Sequence, residues 1–316
     1  MTKETFLQAL EKRIILFDGA MGTEIQKLDP KPEHFPDNKD GFNDGLSFSK
    51  PEWIKGIHRK YLLAGSDCIE TNTFGSNKIK LDEYGFGSQT VEFNQKNAEL
   101  ARSVCDEFTD RQRFVIGSMG PTGYLPSSND PDLGQKPLSE IRESFELQAE
   151  GLILGSADAL LIETSQDILE VKLAVEASHI AMEKTGKKVV LISNVTLDQY
   201  GKMLLGTNVQ SAYTTISEMG VDVFGLNCST GPIEMEPSVQ WLNDQKHKPL
   251  LIIPNAGMPE NEGGHAVYKM SPKEMASTLD SFIKEYPQIS IIGGCCGTNP
   301  EHIEHLRKVI DQQKKD

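Results

Sequence analysis

Two cysteines lie side by side in the segment ISIIGGCCGTNP (289–300), and a third, Cys228, follows the segment VFGLN. Adjacent cysteines rarely form a disulfide with each other, because a ring closed across one peptide bond strains the backbone and the disulfide dihedral angle. Three thiolates make a zinc site with an open fourth position, the arrangement of catalytic rather than structural zinc. Cys228, Cys295 and Cys296 are therefore candidates for a metal centre, and buried structural cysteines are the alternative.

The composition is that of a soluble acidic chain. Its 316 residues are 38% hydrophobic and 25% charged, with a formal net charge of −14. A nucleic-acid surface needs clustered Lys and Arg, which this sequence spreads thinly. The N-terminus, MTKETFLQALEKRIILFDG, has no long apolar core, so it is neither a signal peptide nor a membrane span. We therefore predict a cytoplasmic protein that handles small molecules, without nucleic-acid or membrane partners.

The cysteine count agrees with a reducing compartment. Thiols in the cytosol stay reduced, and five cysteines is an odd number, so metal or catalytic use is favoured over a disulfide framework. Cys68 lies inside an apolar run and Cys105 inside a helical pattern, which predicts that both are small buried core residues.

Eight short apolar runs recur along the chain, and most are followed by a helical pattern. Continuous apolar runs are typical of strands buried on both faces, as in parallel sheets covered by helices. The runs are 14–17, 68–71, 114–118, 159–164, 189–194, 223–227, 250–254 and 289–294. Eight such units predict an α/β fold, a (β/α)8 TIM barrel, as a single domain over residues 1–316. A doubly wound open sheet is the alternative, but no GxGxxG turn follows the first run.

The stretches between the runs carry helix signals. Residues 49–65 begin with a Ser cap and a Pro near the first turn, and they end at a Gly. Similar patterns occupy 165–186, 237–245, 271–286 and 299–310. Two polar stretches rich in Pro and Gly, 29–47 and 120–137, interrupt the alternation of apolar runs and helical patterns. On a barrel both would lie over the carboxyl ends of the strands, as lids, as partner-binding loops or as flexible insertions.

In a barrel, the carboxyl ends of the strands meet on one rim, and catalytic groups lie there. The residues at or just after the ends of the runs are Asp18, Thr71, Asn72, Gly120, Glu163, Asn194, Cys228, Asn255, Cys295 and Cys296. Three anionic sulfurs would leave a substrate thiolate in the fourth position of zinc electron-rich and nucleophilic. Such a centre suits alkyl transfer to sulfur better than hydrolysis.

Seven segments resemble the homocysteine S-methyltransferase family. They are ILFDGAMGTEIQ (15–26), DCIETNTFGSN (67–77), GSMGPTG (117–123), LLIETSQD (160–167), FGLNCSTGP (224–232), IPNAGMP (253–259) and GGCCGTNPEHI (293–303). The resemblance covers nearly the whole chain in order, and the combination of GLNC with GGCCGT is highly specific. The likeness is greatest to the homocysteine-binding N-terminal module of cobalamin-dependent methionine synthase.

The resemblance implies a role for each candidate residue. Cys228, Cys295 and Cys296 would hold zinc, and homocysteine would bind there as a thiolate and become methionine. Asp18 and Glu163 would hold the substrate amino group, as a buried ammonium requires. The side-chain oxygen of Asn255 would occupy the metal when substrate is absent. Structural roles remain open for the two carboxylates: Asp18 could brace the turn at Gly19, and Glu163 could cap the helix after the fourth strand.

The methyl donor is the least determined part of the function. The resemblance favours methylcobalamin carried by a separate module or corrinoid protein, since the chain has no D-x-H-x-x-G cobalamin signature. S-methylmethionine or betaine is the alternative, with Trp53, Phe74 and Tyr124 as the aromatic residues that could form a cage. Two alternatives come from other functional classes. One is a binding module whose barrel holds zinc only structurally, and the other is a Schiff-base lyase. The lyase needs a lysine at a strand end, and no run ends in lysine.

Overall fold

A computed structural model describes residues 4–263 and 265–313 of the protein. The strands in these ranges are β1 (Ile15–Leu16), β2 (Cys68–Glu70), β3 (Phe114–Met119), β4 (Ala159–Ile162), β5 (Val190–Val195), β6 (Val223–Asn227), β7 (Leu250–Ile253), β8 (Glu260–Glu262), β9 (His265–Val267) and β10 (Ile289–Ile292). Eight of them form a parallel sheet in the order β1-β10-β7-β6-β5-β4-β3-β2, and β8 and β9 form a separate antiparallel hairpin. The predicted (β/α)8 barrel is confirmed, and the doubly wound sheet is excluded.

Helices alternate with the barrel strands and cover the outside of the barrel. Within the described ranges they are α1 (Phe6–Leu10), α2 (Met21–Gln26), α3 (Leu46–Ser49), α4 (Pro51–Ala64), α5 (Lys78–Glu83), α6 (Thr90–Cys105), α7 (Leu138–Leu154), α8 (Ile168–Thr185), α9 (Val209–Ser217), α10 (Pro232–Gln245), α11 (Pro272–Glu285) and α12 (Pro300–Gln313). Of the helices described, none combines the length and the apolar character needed to cross a bilayer.

The barrel strands are buried on both faces, which explains their continuous apolar runs. In β3, Phe114 and Ile116 belong to a cluster inside the barrel, whereas Val115 and Met119 belong to the core between the sheet and the helices. The same alternation places Cys68 in the inner cluster. Cys105 is buried in the outer core, so both cysteines are core residues as predicted.

The seam between β1 and β2 depends on two aspartates. The Leu16 carbonyl accepts the Asp67 N–H at 2.7 Å, and the Leu16 N–H donates to the Asp67 carboxylate at 3.0 Å. Towards the carboxyl rim, the Asp18 carboxylate accepts the Glu70 N–H at 3.1 Å. Because β1 contains only two residues, these side-chain bonds take the place of a longer backbone ladder. They fix Asp18 and Glu70 beside each other at the rim.

Among the five predicted helix ranges, the largest difference from the structure is at the start of α10, and α6 and α7 lie outside all five ranges. The predicted start at residue 237 is wrong, because α10 begins at Pro232 and contains Pro237 in its second turn. Pro232 occupies the first helical position, where the missing N–H costs nothing. By contrast, α4 ends at Gly65 in the left-handed conformation (φ +108°), as its glycine predicted.

The long stretch 29–47 is a packed part of the wall around the rim. It contains the 3-10 helices Pro32–His34, Pro36–Asn38 and Asn43–Gly45. Phe42 is buried and stacks on Tyr84, with ring centroids 4.2 Å apart. The Asp44 carboxylate accepts the Gly75 N–H at 2.8 Å and so ties the stretch to the segment after β2. Residues 29–47 are therefore not a loosely attached insertion.

His58 in α4 makes the stability of the fold depend on pH. Its side chain is fully buried, neither ring nitrogen has a hydrogen-bond partner among the described residues, and burial lowers its pKa to about 3. The usual pKa in an unfolded chain is about 6.5. Protonation therefore favours unfolding, and this cost grows as the pH falls from about 6.5 towards 3.

We expect the His58→Leu variant to lose less stability in acid than the unaltered protein. Between pH 7 and pH 5, the free energy of unfolding of the unaltered protein should fall by about 2 kcal/mol more than that of the variant. Urea unfolding at the two pH values measures the difference. Equal pH dependence of the two proteins would show that His58 is not held neutral.

Candidate active site

Three cysteines from two strands meet at the carboxyl rim of the barrel. Cys228 directly follows β6, and Cys295 and Cys296 lie in the loop after β10. Their sulfurs all lie within 4.8 Å of one another, and those of Cys228 and Cys296 are 3.8 Å apart. Two sulfurs bound to tetrahedral zinc at 2.3 Å each would be about 3.8 Å apart. The cluster thus fits a metal ion of this size without rearrangement of the fold.

The backbone around Cys228 is held in an uncommon conformation. Cys228 and Ser229 both have left-handed φ values, of 60° and 61°. The Cys228 N–H donates to the Ile253 carbonyl at 3.2 Å, and the Thr230 N–H donates to the Cys228 carbonyl at 2.7 Å. Non-glycine residues keep such φ values only when neighbouring contacts hold them there. In this case those contacts direct the Cys228 sulfur towards Cys296.

The three thiols affect one another's ionisation. Hydrogen bonds from Cys228 and Cys295 lower the pKa of Cys296 to about 3. Hydrogen bonds with its two neighbours, together with burial, raise the pKa of Cys295 well above its usual range. One thiolate therefore forms readily, but the second and third are opposed by charge repulsion and burial. A bound cation would remove this opposition.

Three carboxyl groups form a second cluster on the same rim. Asp18 follows β1, Glu70 ends β2, and Glu163 follows β4. Burial raises the pKa of Glu163 to about 7 and that of Asp18 well above its usual range. Burial, followed by the charges of Glu163 and Asp18, also raises the pKa of Glu70. Ionisation of these three carboxyl groups is opposed by burial and by their mutual repulsion, so the cluster is suited to bind a cationic group.

Both clusters line a single cavity of 770 Å³. The remaining wall includes Met21 and Gln26 of α2, Asn43 of the stretch 29–47, and the aromatic rings of Phe74 and Tyr268. Among the described residues on the wall there is no Lys, Arg or His. Cysteine sulfurs and carboxylates therefore face the same cavity, and positive charge must come from what binds there.

Comparison of the sequence with known protein families identifies the family of the chain. Residues 15–310 match the homocysteine S-methyltransferase family. The chain belongs to this family. The match covers both the sulfur cluster and the carboxyl cluster.

Two curated relatives are methionine synthases of mycobacteria. That of Mycobacterium tuberculosis is 39% identical over 311 residues, which are 98% of this chain and 26% of that protein. That of Mycobacterium leprae is 38% identical over 306 residues, which are 96% of this chain and 25% of that protein. The chain thus spans about a quarter of the length of these relatives.

A solved structure shows the same fold at lower identity. The metallated form of the homocysteine methyltransferase MmuM from Escherichia coli aligns with a TM-score of 0.73 and 21% identity, covering 95% of this chain and 97% of that one. At this identity, the likeness shows the same barrel fold and nothing finer.

Glu163 has polar partners inside the barrel. It accepts hydrogen bonds from the Ser118 hydroxyl and, at 3.3 Å, from the Asn227 amide. The helix after β4 is instead capped by Asp167, whose carboxylate accepts the Leu169 N–H at 2.8 Å. The alternative that Glu163 caps this helix is therefore wrong. The Glu163 carboxylate instead faces the cavity that the two clusters share.

The other predicted rim residues divide into two groups. Thr71 and Asn72 line the cavity with the two clusters. Asn194, Gly120 and Asn255 are not among the residues on its wall. Asn255 is 1% exposed, its amide oxygen has no hydrogen-bond partner among the described residues, and its N–H donates to the Thr230 carbonyl at 3.0 Å. The preceding residue, Pro254, accepts the Cys295 N–H through its carbonyl. The unsatisfied oxygen of Asn255 therefore belongs to a segment that is bonded to the cysteine loop.

Sequence analysis missed Glu70 and Tyr268 as residues of this site. Glu70 is the penultimate residue of the run 68–71, and the rim candidates taken from that run were Thr71 and Asn72. A carboxylate within an apolar run was the signal that could have identified it. Tyr268 follows the β8–β9 hairpin, and the polar, exposed residues of β8 give no apolar strand pattern.

The aromatic residues proposed for a cage do not come together. Phe74 lines the cavity, whereas Trp53 and Tyr124 are not on its wall. Trp53 packs edge-on against His34, and Lys136 lies over the Tyr124 ring. The stretch 120–137 is likewise bound away from the cavity, since Ser127 donates its N–H to Asp167 at 2.7 Å.

Proposed function

We propose that this chain is a zinc-dependent homocysteine S-methyltransferase that produces methionine, with residues 1–316 as its homocysteine-binding barrel domain. The observation that carries the proposal is the placement of three cysteine sulfurs and three carboxyl groups on the wall of one cavity. Homocysteine has a thiol and an ammonium group, the two groups that these clusters are suited to bind. Membership of the family supports this assignment.

Cys228, Cys295 and Cys296 are the proposed zinc ligands. Zinc bound to them would hold the homocysteine thiol deprotonated at neutral pH and leave its sulfur electron-rich. The three cysteines fix where the substrate sulfur lies, because their backbones are anchored to β6, β7 and β10. We assign Asn255 the fourth position in the absence of substrate, which its unsatisfied amide oxygen supports.

Asp18 and Glu163 are proposed to hold the ammonium group of homocysteine. Each is buried, so an ionised carboxylate there needs a positive partner. The ammonium supplies that charge and, in return, gains charge-assisted hydrogen bonds. Glu70, fixed beside Asp18 by its own N–H, adds a third carboxyl group to this end of the cavity. The substrate is thus oriented with its sulfur at the cysteines.

We propose methylcobalamin, carried by a separate module or a corrinoid protein, as the methyl donor. The 770 Å³ cavity is larger than homocysteine needs, which leaves space for a donor group at its mouth. The likeness to methionine synthases and the separation of Trp53 and Tyr124 from the cavity support this choice over betaine or S-methylmethionine. The five free cysteines are consistent with a proposed cytoplasmic location.

Methyl transfer requires in-line attack by the homocysteine sulfur on the methyl carbon. The carbon must lie about 3 to 3.5 Å from the sulfur, and the donor leaves with the bonding electron pair. Homocysteine would be held by its sulfur at the cysteines and by its ammonium group at the carboxylates. The methyl donor therefore has to approach the sulfur through the cavity mouth. The protein therefore contributes orientation of the sulfur and exclusion of water from it.

The donor is tested by supplying homocysteine with methylcobalamin, S-methylmethionine or betaine in separate reactions of the zinc-loaded protein. We expect methionine to form with methylcobalamin at least about tenfold faster than with either small donor, since Phe74 and Tyr268 are the only aromatic rings among the described residues of the cavity wall and a cage needs more. Mass spectrometry of methionine measures the rates. Faster turnover with betaine or S-methylmethionine would overturn the donor assignment and leave that of the zinc ligands intact.

A further inference from the structure

Asn227, the last residue of β6, connects the two clusters from behind the cavity wall. It is 1% exposed and is not among the residues that line the cavity. The next residue, Cys228, belongs to the sulfur cluster, and the Asn227 amide donates to the Glu163 carboxylate at 3.3 Å. One residue thus precedes a cluster cysteine along the backbone and holds a carboxyl group with its side chain.

The same side chain holds an uncommon turn just after β4. Thr164 has a left-handed φ of 57°, which β-branched residues rarely adopt. The Asn227 amide oxygen accepts the Thr164 N–H at 2.9 Å, and the amide nitrogen donates to the Thr164 hydroxyl at 2.9 Å. Non-glycine residues keep such φ values only when neighbouring contacts hold them there. These two bonds therefore fix the turn that directly follows Glu163.

Asn227 is itself fixed in the sheet. It pairs with Ile253 of β7, and its carbonyl accepts the Thr196 hydroxyl hydrogen at 3.0 Å. The Cys228 N–H donates to the Ile253 carbonyl at 3.2 Å. The Asn227 amide uses its oxygen and both of its N–H groups, so rotation of the side chain would break three hydrogen bonds. The orientation of Glu163 is therefore tied to the backbone that carries Cys228.

We propose that Asn227 is a positioning residue that sets the Glu163 carboxylate at the distance from the sulfur cluster that homocysteine spans. The inference rests on the proposed function, in which Glu163 holds the ammonium group and the cysteines hold the zinc that binds the sulfur. Homocysteine joins these two groups through only three carbon atoms. Without the Asn227 amide, Glu163 would keep the Ser118 hydroxyl as its partner among the described residues. A carboxylate held by that bond alone would meet the ammonium less often while the sulfur stays bound.

The test compares homocysteine with 4-mercaptobutyrate, which has the same thiol and carboxylate but no amino group. Calorimetry measures the affinity of each zinc-loaded protein for both compounds, and metal analysis measures the zinc content. Asn227→Ala removes the amide. The double variant Asn227→Ala with Thr164→Gly gives the left-handed turn to a residue that adopts it without strain, so that it folds without the two lost bonds. Thr164→Gly alone is its reference.

Asn97→Ala is the matched control for loss of a buried asparagine. Asn97 is 1% exposed and lies in α6, outside the cavity, and its amide donates to the Phe93 carbonyl at 3.1 Å. Its removal costs a buried hydrogen bond of the same kind but touches neither cluster. This control should match the unaltered protein in its affinity for both compounds.

With both Asn227 variants we expect the affinity for homocysteine to fall by about fivefold to twentyfold and that for 4-mercaptobutyrate by less than about twofold. Each should keep one zinc ion per chain, since the three cysteines remain. Equal losses for the two compounds, unchanged affinity for homocysteine, or loss of zinc from both variants would overturn the inference. If the unaltered protein bound the two compounds equally, the proposed recognition of the ammonium group would be wrong, and this inference with it.

Discussion

Replacing Cys296 with alanine is expected to remove zinc from the protein and to lower methyl transfer to homocysteine by at least about a thousandfold. The Cys296 sulfur lies 3.8 Å from that of Cys228 and is one of only three sulfurs in the cluster. Two sulfurs cannot hold the ion with the same geometry or bring the substrate sulfur to the same place. The barrel should stay folded, because its core is formed by the strands and helices. Metal analysis and methionine formation measure the two losses.

Cys105→Ala provides the matched control for this experiment. Cys105 is also a cysteine in a buried position, but it lies at the end of α6 and outside the cavity. The control should keep one zinc ion per chain, whatever small loss of stability its cavity causes. Full zinc occupancy in Cys296→Ala would contradict the assignment of the ligands.

Glu163→Gln is expected to lower kcat/KM for homocysteine by about 10-fold to 100-fold. A neutral amide keeps the size of the side chain and one oxygen that can accept the Ser118 hydroxyl hydrogen, but it offers no second acceptor to the Asn227 amide and cannot balance the charge of the substrate ammonium. The loss should therefore depend on the amino group of the substrate. With 4-mercaptobutyrate, which lacks that group, the variant and the unaltered protein should differ by less than about threefold.

Glu170→Gln is the control for the charge change. The pKa of Glu170 is also raised by burial, to about 7, but its carboxylate accepts the Thr122 N–H at 2.8 Å and lies outside the cavity. Its kinetics with homocysteine should match those of the unaltered protein. Equal losses for homocysteine and mercaptobutyrate in Glu163→Gln would show that Glu163 does not recognise the amino group.

The barrel could be predicted from sequence because its strands are buried on both faces. The run 159–164 begins with four apolar residues that form β4, and each of the eight runs proved to contain a parallel strand. The sulfur cluster followed from the same pattern, since Cys228 and the Cys295–Cys296 pair lie just beyond β6 and β10. Once the ends of parallel strands are known, the fold itself brings these residues together.

Other parts of the site depend on contacts that no local pattern records. Tyr268 lies beside the backbone next to Cys296 because Gly297 leaves room for its ring, and this is a contact between separate loops. Glu70 is at the rim because the Asp18 carboxylate binds its N–H across the seam. The start of α10 was misplaced because Pro237 was taken as the first helical residue, whereas Pro232 has that position. Tertiary packing decides each of these cases.

X-ray absorption at the zinc edge tests the central claim most directly, which is that the homocysteine sulfur joins the three cysteine sulfurs. The zinc-loaded protein is measured alone and with excess homocysteine, and proton release is recorded in the same titration. We predict three sulfur neighbours near 2.3 Å without homocysteine and four with it, with release of about one proton near neutral pH. Three sulfurs in both samples, without proton release, would show that the substrate thiol is not a ligand and would contradict the account.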